Sequence, residues 1–188
     1  MIELIPKEIL TFRFDDVCIN SNMELHNSMT DYLLEKFPGC EVIWVISPLA
    51  RSGCGERVYP KIWNAMSDYR QHYELDQSSP FPIHPKVQRA AHGLIHVDHR
   101  LLAKEAQEMS ILVSASLTGS KMFVPPFNKY NADTQEICDT NGIYLIRFAN
   151  GWLSMEHNKW NAKHQMWYFH AREWTMETFK KWFDNGNG

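Results

Sequence analysis

The stretch TFRFDDVCIN, Thr11–Asn20, decides how this chain is read. Its first residues form an apolar run that reads as a buried strand, Ile9 to Phe14, and the run ends in two adjacent carboxylates, Asp15 and Asp16. Neighbouring carboxylates repel, and a strand end beside a core is a costly place to leave them. A positive group gathers there, or water reaches them.

Working outward, strands and helices alternate. Leu25, Met29, Leu33 and Phe37 recur at four-residue steps and predict an amphipathic helix, which Pro38-Gly39 stops. CEVIWVIS (Cys40–Ser47) is too continuously apolar to alternate, so it reads as a strand covered on both faces. After the loop RSGCGERVYP, residues Ile62, Met66, Tyr69 and Tyr73 predict a helix over Lys61–Tyr73, and DQSSPFPIHP reads as a Pro-rich loop. VQRAAHG is a short strand, and Leu102, Ala106, Met109 and Val113 mark a long helix closing near Gly119. KMFVPP is a strand stopped by Pro125-Pro126. A short helix over Thr134–Asp139 ends at Asn141-Gly142. IYLIRFA and MWYFH (Met166–His170) are further strands, and Thr175 opens a last helix to Phe183. Residues 184–188 read as a frayed tail on a single domain spanning 1–188.

The alternation means an α/β fold with parallel strands and helices outside. Six strand candidates in 188 residues fall short of eight βα units, which predicts a distorted, incomplete (β/α) barrel. In such folds functional groups collect at the carboxyl ends of the strands. The Asp pair, HGLIHVDH, PPFN and His170 all fall on that rim.

Composition narrows the function. A net charge of −3 without a block of like charges argues against nucleic acid as a partner. No apolar run is long enough to span a membrane, and MIELIPKEIL lacks a cleavable signal pattern. Cys18, Cys40, Cys54 and Cys138 are scattered, with no Cys-x-x-Cys pair, and read as free thiols in a reducing compartment. The expected location is therefore cytoplasmic. Oligomeric state is not legible. RSGCGER lacks a phosphate-loop pattern.

His92 and His96 are spaced i, i+4, which on a helical turn puts both imidazoles on one face, able to share a metal. A carboxylate from another strand completes a His-His-Asp set with positions left open for water and substrate. His99 is three residues further and is an alternative to His96. With nine histidines in the chain, two surface histidines at a helix start is the plainer explanation of the pair taken alone.

Together these segments resemble the polysaccharide deacetylases of the NodB-homology type. Phe14-Asp15-Asp16-Val17 is similar to their Thr-Phe-Asp-Asp-Gly motif, and His92-Gly93-Leu94-Ile95-His96 to their His-(Ser/Thr)-x-x-His motif. Val124-Pro125-Pro126-Phe127 lies where their Arg-x-Pro motif falls, and Tyr168-Phe169-His170 where their Leu-x-His strand end falls. The resemblance implies a distorted (β/α) barrel and one divalent metal, zinc, bound by Asp16, His92 and His96. It implies Asp15 as general base, His170 as general acid, and an N-acylated sugar or glycan as substrate. The metal would hold the repelling acids together, one as ligand and one facing the water to be activated.

The chain departs from the pattern in two places. Val17 stands for the glycine after the Asp pair, and Val124 for the arginine that helps position the base. Arg13 and Arg147 are both possible substitutes, and nothing in the sequence chooses between them. The acid and tryptophan that support that arginine have no counterpart. Asn128, Tyr130 and Arg147 are candidate substrate-binding residues, although turn chemistry explains the first two equally well. Cys18, Glu156 and His157 could face the site, or be a buried thiol and a solvated loop. Five of the seven tryptophans (Trp152, Trp160, Trp167, Trp174 and Trp182) crowd the last quarter and could stack on sugars or build core. Two functions remain open. One is a metal-dependent N-deacetylase of glycan or surface-polysaccharide, O-antigen-like, biosynthesis. The other is a catalytically impaired relative that binds glycan or a partner.

Overall fold

The computed structural model describes residues 9–18, 21–48, 84–94, 96–147, 151–152 and 166–185. The strands are β1 (Thr11–Val17), β2 (Glu41–Ile46), β3 (Gln88–Ala91), β4 (Met122–Phe123), β5 (Tyr144–Leu145), β6 (Gly151–Trp152) and β7 (Met166–Phe169). The helices are α1 (Met23–Lys36), α2 (Lys104–Thr118), α3 (Ala132–Thr140) and α4 (Met176–Asn185). The strands form one seven-stranded sheet in the order β5-β4-β3-β2-β1-β7-β6, and every pairing is parallel. The sheet curls into a half-barrel with the helices around it, the expected incomplete barrel. No helix among the described residues is long and apolar enough to cross a membrane.

β1 lies between β2 and β7 and sorts its side chains by parity. Phe12 and Phe14 join Val42, Trp44, Ile46 and Phe169 in a core closed by Met29 and Leu33 of α1 and Phe179 and Phe183 of α4. Tight ring contacts set that packing, with the Phe14 and Phe169 centroids 4.2 Å apart. Arg13 points to the opposite, concave face in register with Ile43, where Val45, Ala90, Val124 and Ile146 also gather. α2 and α3 cover the β3–β5 side through Ile111, Phe123, Ile137 and Leu145.

Helix ends follow local chemistry. Asn22 caps α1 by accepting from the Leu25 N–H at 3.0 Å, and Asn131 with Thr134 forms a reciprocal capping box on α3. α2 ends at Gly119, whose φ of 61° lets two orphan carbonyls be capped.

Several expectations change. The Asp pair does not end β1. It lies inside it, at a register shift between Phe14 and Val17. None of the described residues between His92 and Asp98 is helical: His92 directly follows β3, and Gly93 with φ 79° turns the chain away. Residues 184 and 185, expected in the tail, belong to α4, which runs to Asn185, and Asp184 accepts from the Tyr32 hydroxyl at 2.9 Å and pairs with Lys36. β6 is a strand beyond the six expected. Trp167 and Trp174 take the core role open to the late tryptophans, both buried. The expected helix Lys61–Tyr73, Cys54, Glu156, His157 and Trp160 lie outside the described residues. Cys18, Cys40 and Cys138 are free thiols.

Candidate metal centre

In a regular strand Asp15 and Asp16 would point to opposite faces. The bulge and the left-handed backbone of Asp16, φ 60°, break that alternation and aim both carboxylates at the carboxyl rim. Strain of this kind, about 1–3 kcal/mol for a non-glycine residue, persists where the surroundings over-determine it.

Asp16 is the centre of the site. Its Oδ1 lies 3.1 Å from His96 Nε2 and 3.4 Å from His92 Nε2. The donor atoms of Asp16, His92 and His96 all fall within 4.8 Å of one another. Oδ1 is buried and has no hydrogen-bond partner. A buried, orphaned carboxylate oxygen facing two ring nitrogens is what a cation would satisfy. The tautomer also fits. His92 Nδ1 is 2.7 Å from the Val124 carbonyl, so the neutral ring donates there and turns its Nε2 lone pair toward Asp16. Burial pushes the His96 imidazole down to about 4, with His92 adding to the push against Asp16 and Asp15. Burial raises the Asp16 carboxyl, but the nearness of His92, His96 and His170 outweighs it and holds it below the usual range. The donor set, two imidazoles and one carboxylate with open positions, suits a divalent cation.

His99 is not available to replace His96. It is fully buried, with Nδ1 3.1 Å from the Val97 carbonyl and Nε2 3.1 Å from Ser110 Oγ, so both ring nitrogens are used.

Asp15 is paired with Arg13. Nε donates to Oδ1 and Nη2 to Oδ2, each at 2.7 Å, a bidentate bridge with both residues buried. Arg13 Nη2 also donates to Asn128 Oδ1 at 2.9 Å, and its guanidinium lies 5.0 Å from the Tyr168 ring centroid. Of the two candidate arginines, then, Arg13 holds the carboxylate. Arg147 is exposed past the end of β5 and makes no hydrogen bond or ion pair with Asp15 or Asp16. Asn128 serves Arg13, and Tyr130 packs against the β3–β5 core.

On the far side of Asp16, His170 Nε2 lies 3.4 Å from Oδ2 while its Nδ1 is 3.0 Å from Glu173 Oε1. Arg172 Nη1 donates to the same Oδ2 at 2.9 Å. A cavity of about 220 Å³ opens here, lined in part by Asp15, Asp16, Cys18, Leu25, His170 and Arg172. Sequence reasoning missed Glu173 and Arg172. The spacing His170-x-x-Glu173, just past a strand, was the available signal for the first.

No protein-family model matches the sequence, and neither does any curated protein sequence. Solved structures do match. A family 4 carbohydrate esterase from Streptomyces lividans, in complex with acetate, aligns over 94% of this chain and 84% of that one, with a TM-score of 0.54 and 15% identity. The Bc1960 peptidoglycan N-acetylglucosamine deacetylase aligns over 96% and 82%, with a TM-score of 0.56 and 12% identity. BA3943, a CE4 family pseudoenzyme from Bacillus anthracis, aligns over 96% of this chain but only 62% of its own, with a TM-score of 0.52 and 10% identity. The chain has the fold of the family 4 carbohydrate esterases and peptidoglycan deacetylases. At these identities the likeness is one of fold.

Proposed function

We propose that the chain hydrolyses an N-acyl, most simply acetyl, amide on a sugar, with a divalent cation, zinc in our reading, held by Asp16, His92 and His96. The observation that carries this is the buried Arg13–Asp15 bridge beside the three-donor cluster. Arg13 supplies from β1 itself the positive partner that Val124 cannot supply. When bound, the cation contributes Lewis acidity that polarises the amide carbonyl and acidifies water. Asp15 takes the proton of the attacking water. Arg13 occupies one direction on each of its oxygens, and a carboxylate offers further lone pairs. His170 gives a proton from Nε2 to the departing nitrogen as the C–N bond breaks, and Glu173 at Nδ1 stabilises the ring while it is charged. The products are a carboxylic acid and a free amine. As the physiological substrate we propose a cytoplasmic precursor of a surface polysaccharide, O-antigen-like; the sequence feature behind the compartment is four scattered cysteines with no Cys-x-x-Cys pair.

One observation favours a second reading. Arg172 already puts a cation on Asp16, and the fold neighbours include both the pseudoenzyme and a mutant of it described as having restored enzymatic activity. In that reading the chain binds a glycan or a partner without turnover. The test is acetate release by the zinc-loaded protein from N-acetylglucosamine oligomers and UDP-N-acetylglucosamine, with Asp15→Asn as control. Release that Asp15→Asn abolishes supports the hydrolase. No release from any substrate supports the binding protein.

A further inference from the structure

Arg172 uses only part of its bonding capacity. It lies in the 3₁₀ turn Ala171–Glu173, two residues past His170, and its side chain is 48% exposed. Nη1 donates to Asp16 Oδ2 at 2.9 Å, and Nε and Nη2 have no partner among the described residues. A guanidinium is a planar fork of five N–H donors. Asp16 therefore anchors one corner of the fork, and the rest of it stands where the cavity of about 220 Å³ meets solvent. Asn22 lines the same cavity. Its Oδ1 accepts from the Leu25 N–H, and its amide nitrogen has no partner among the described residues.

The charges around the cavity have a definite balance. Arg13 offsets Asp15, and Arg172 offsets Asp16. Glu173, 3.0 Å from His170 Nδ1, adds one negative charge while that ring is neutral. A divalent cation on Asp16, His92 and His96 brings two positive charges, so the loaded site carries an excess of one. That excess favours an anionic ligand over a neutral one of the same shape. Arginine pairs with phosphate by two parallel N–H···O bonds, and a fork already fixed at one corner loses less freedom in forming them.

We propose that the substrate sugar carries a phosphate ester and that Arg172 receives this phosphate at the mouth of the cavity. This rests on the precursor reading above and gives it a chemical class. A sugar not yet transferred holds its activation as a phosphate on the anomeric carbon, joined to a nucleoside or to a lipid. Arg172 recognises the phosphate that both share.

The experiment is calorimetric titration at saturating zinc into protein carrying Asp15→Asn, which blocks turnover. The ligands are N-acetylglucosamine 1-phosphate and the neutral methyl glycoside of N-acetylglucosamine. Both titrations are repeated with Arg172→Gln or Arg172→Lys added, and zinc content is measured on each variant. The parent is expected to prefer the phosphate about tenfold, the low end for a hydrogen bond to a charged group, because Arg172 is half-exposed. Arg172→Gln should remove most of that preference. Arg172→Lys should keep part of it, since lysine retains the charge without the fork. The preference is a ratio within one zinc-loaded variant, so loss of the cation cannot imitate loss of the phosphate contact. UDP-N-acetylglucosamine and the decyl phosphodiester of N-acetylglucosamine then separate the sources. Tighter binding of the first marks a nucleotide-linked sugar, and of the second a lipid-linked one. A parent that binds the phosphate and the neutral glycoside equally, or a preference that survives Arg172→Gln, overturns the proposal and leaves the hydrolase reading standing. No binding of either sugar by the parent overturns the carbohydrate reading itself.

Discussion

Arg13 is a fully buried arginine on the concave face of a sheet, a position almost always apolar. Its tolerance there depends on Asp15, and the dependence is mutual. Arg13→Met leaves a buried carboxylate without its partner, which typically costs about 3–5 kcal/mol and would be read in urea denaturation. Asp15→Asn preserves shape and is expected to retain zinc while turnover falls ~10²–10⁴-fold, the usual loss of a proton carrier. His170→Ala should slow amides more than activated esters, whose leaving groups need no proton; equal slowing of both would remove the acid role. At this scale the residue types were legible. Asp15, Asp16, His92, His96 and His170 stood out because few chemistries need those groups in that order. The choice of Arg13 over Arg147 was not, although i, i+2 spacing on a strand puts Arg13 and Asp15 on one face. The bulge at Asp16 has no local sequence signal, and the turn at Phe127 only the turn chemistry of Asn128, since both are held by contacts from elsewhere in the fold.

α2 supports the histidine loop through one side chain. Ser110 Oγ accepts from the Leu94 N–H and bonds His99 Nε2, each at 3.1 Å. Ser110→Ala therefore strands two buried polar groups, at about 1–3 kcal/mol each. It is expected to lower stability by that order and to weaken zinc binding about tenfold, as loss of outer support commonly does. Unchanged zinc affinity would show that the loop is set by Gly93 and β3 alone. Helices were legible at this scale because amphipathic spacing and caps are local, as Pro38-Gly39, Gly119 and Asn141-Gly142 illustrate. The i, i+4 spacing of His92 and His96 is a weaker guide for the converse reason. An i, i+4 pair does not specify a helix when Gly93 redirects the chain and Ser110 anchors the loop from another element.

Over the whole molecule, buried neutral histidines tie stability to pH. Burial pushes His99 down to about 4 from an ordinary value of 6.5. Between those values the unfolded chain binds the extra proton, so this contribution is full above about pH 6.5 and is lost as pH falls toward 4. Burial lowers His26 in the same direction. The metal-free protein should melt at progressively lower temperature from pH 6.5 to 4, and His99→Gln should flatten that slope. The parallel architecture was legible from strand–helix alternation. Strand order was not, because it depends on which strands pair across the middle of the chain. The central claim is that one cation joins β1 to the loop after β3, and titration of zinc into the metal-free protein and into Asp16→Ala tests it most directly. The account predicts one ion per chain in the wild type and its loss in the variant, with the secondary structure of both intact. Wild-type protein that takes up no zinc, or an Asp16→Ala variant that binds it equally well, would contradict it.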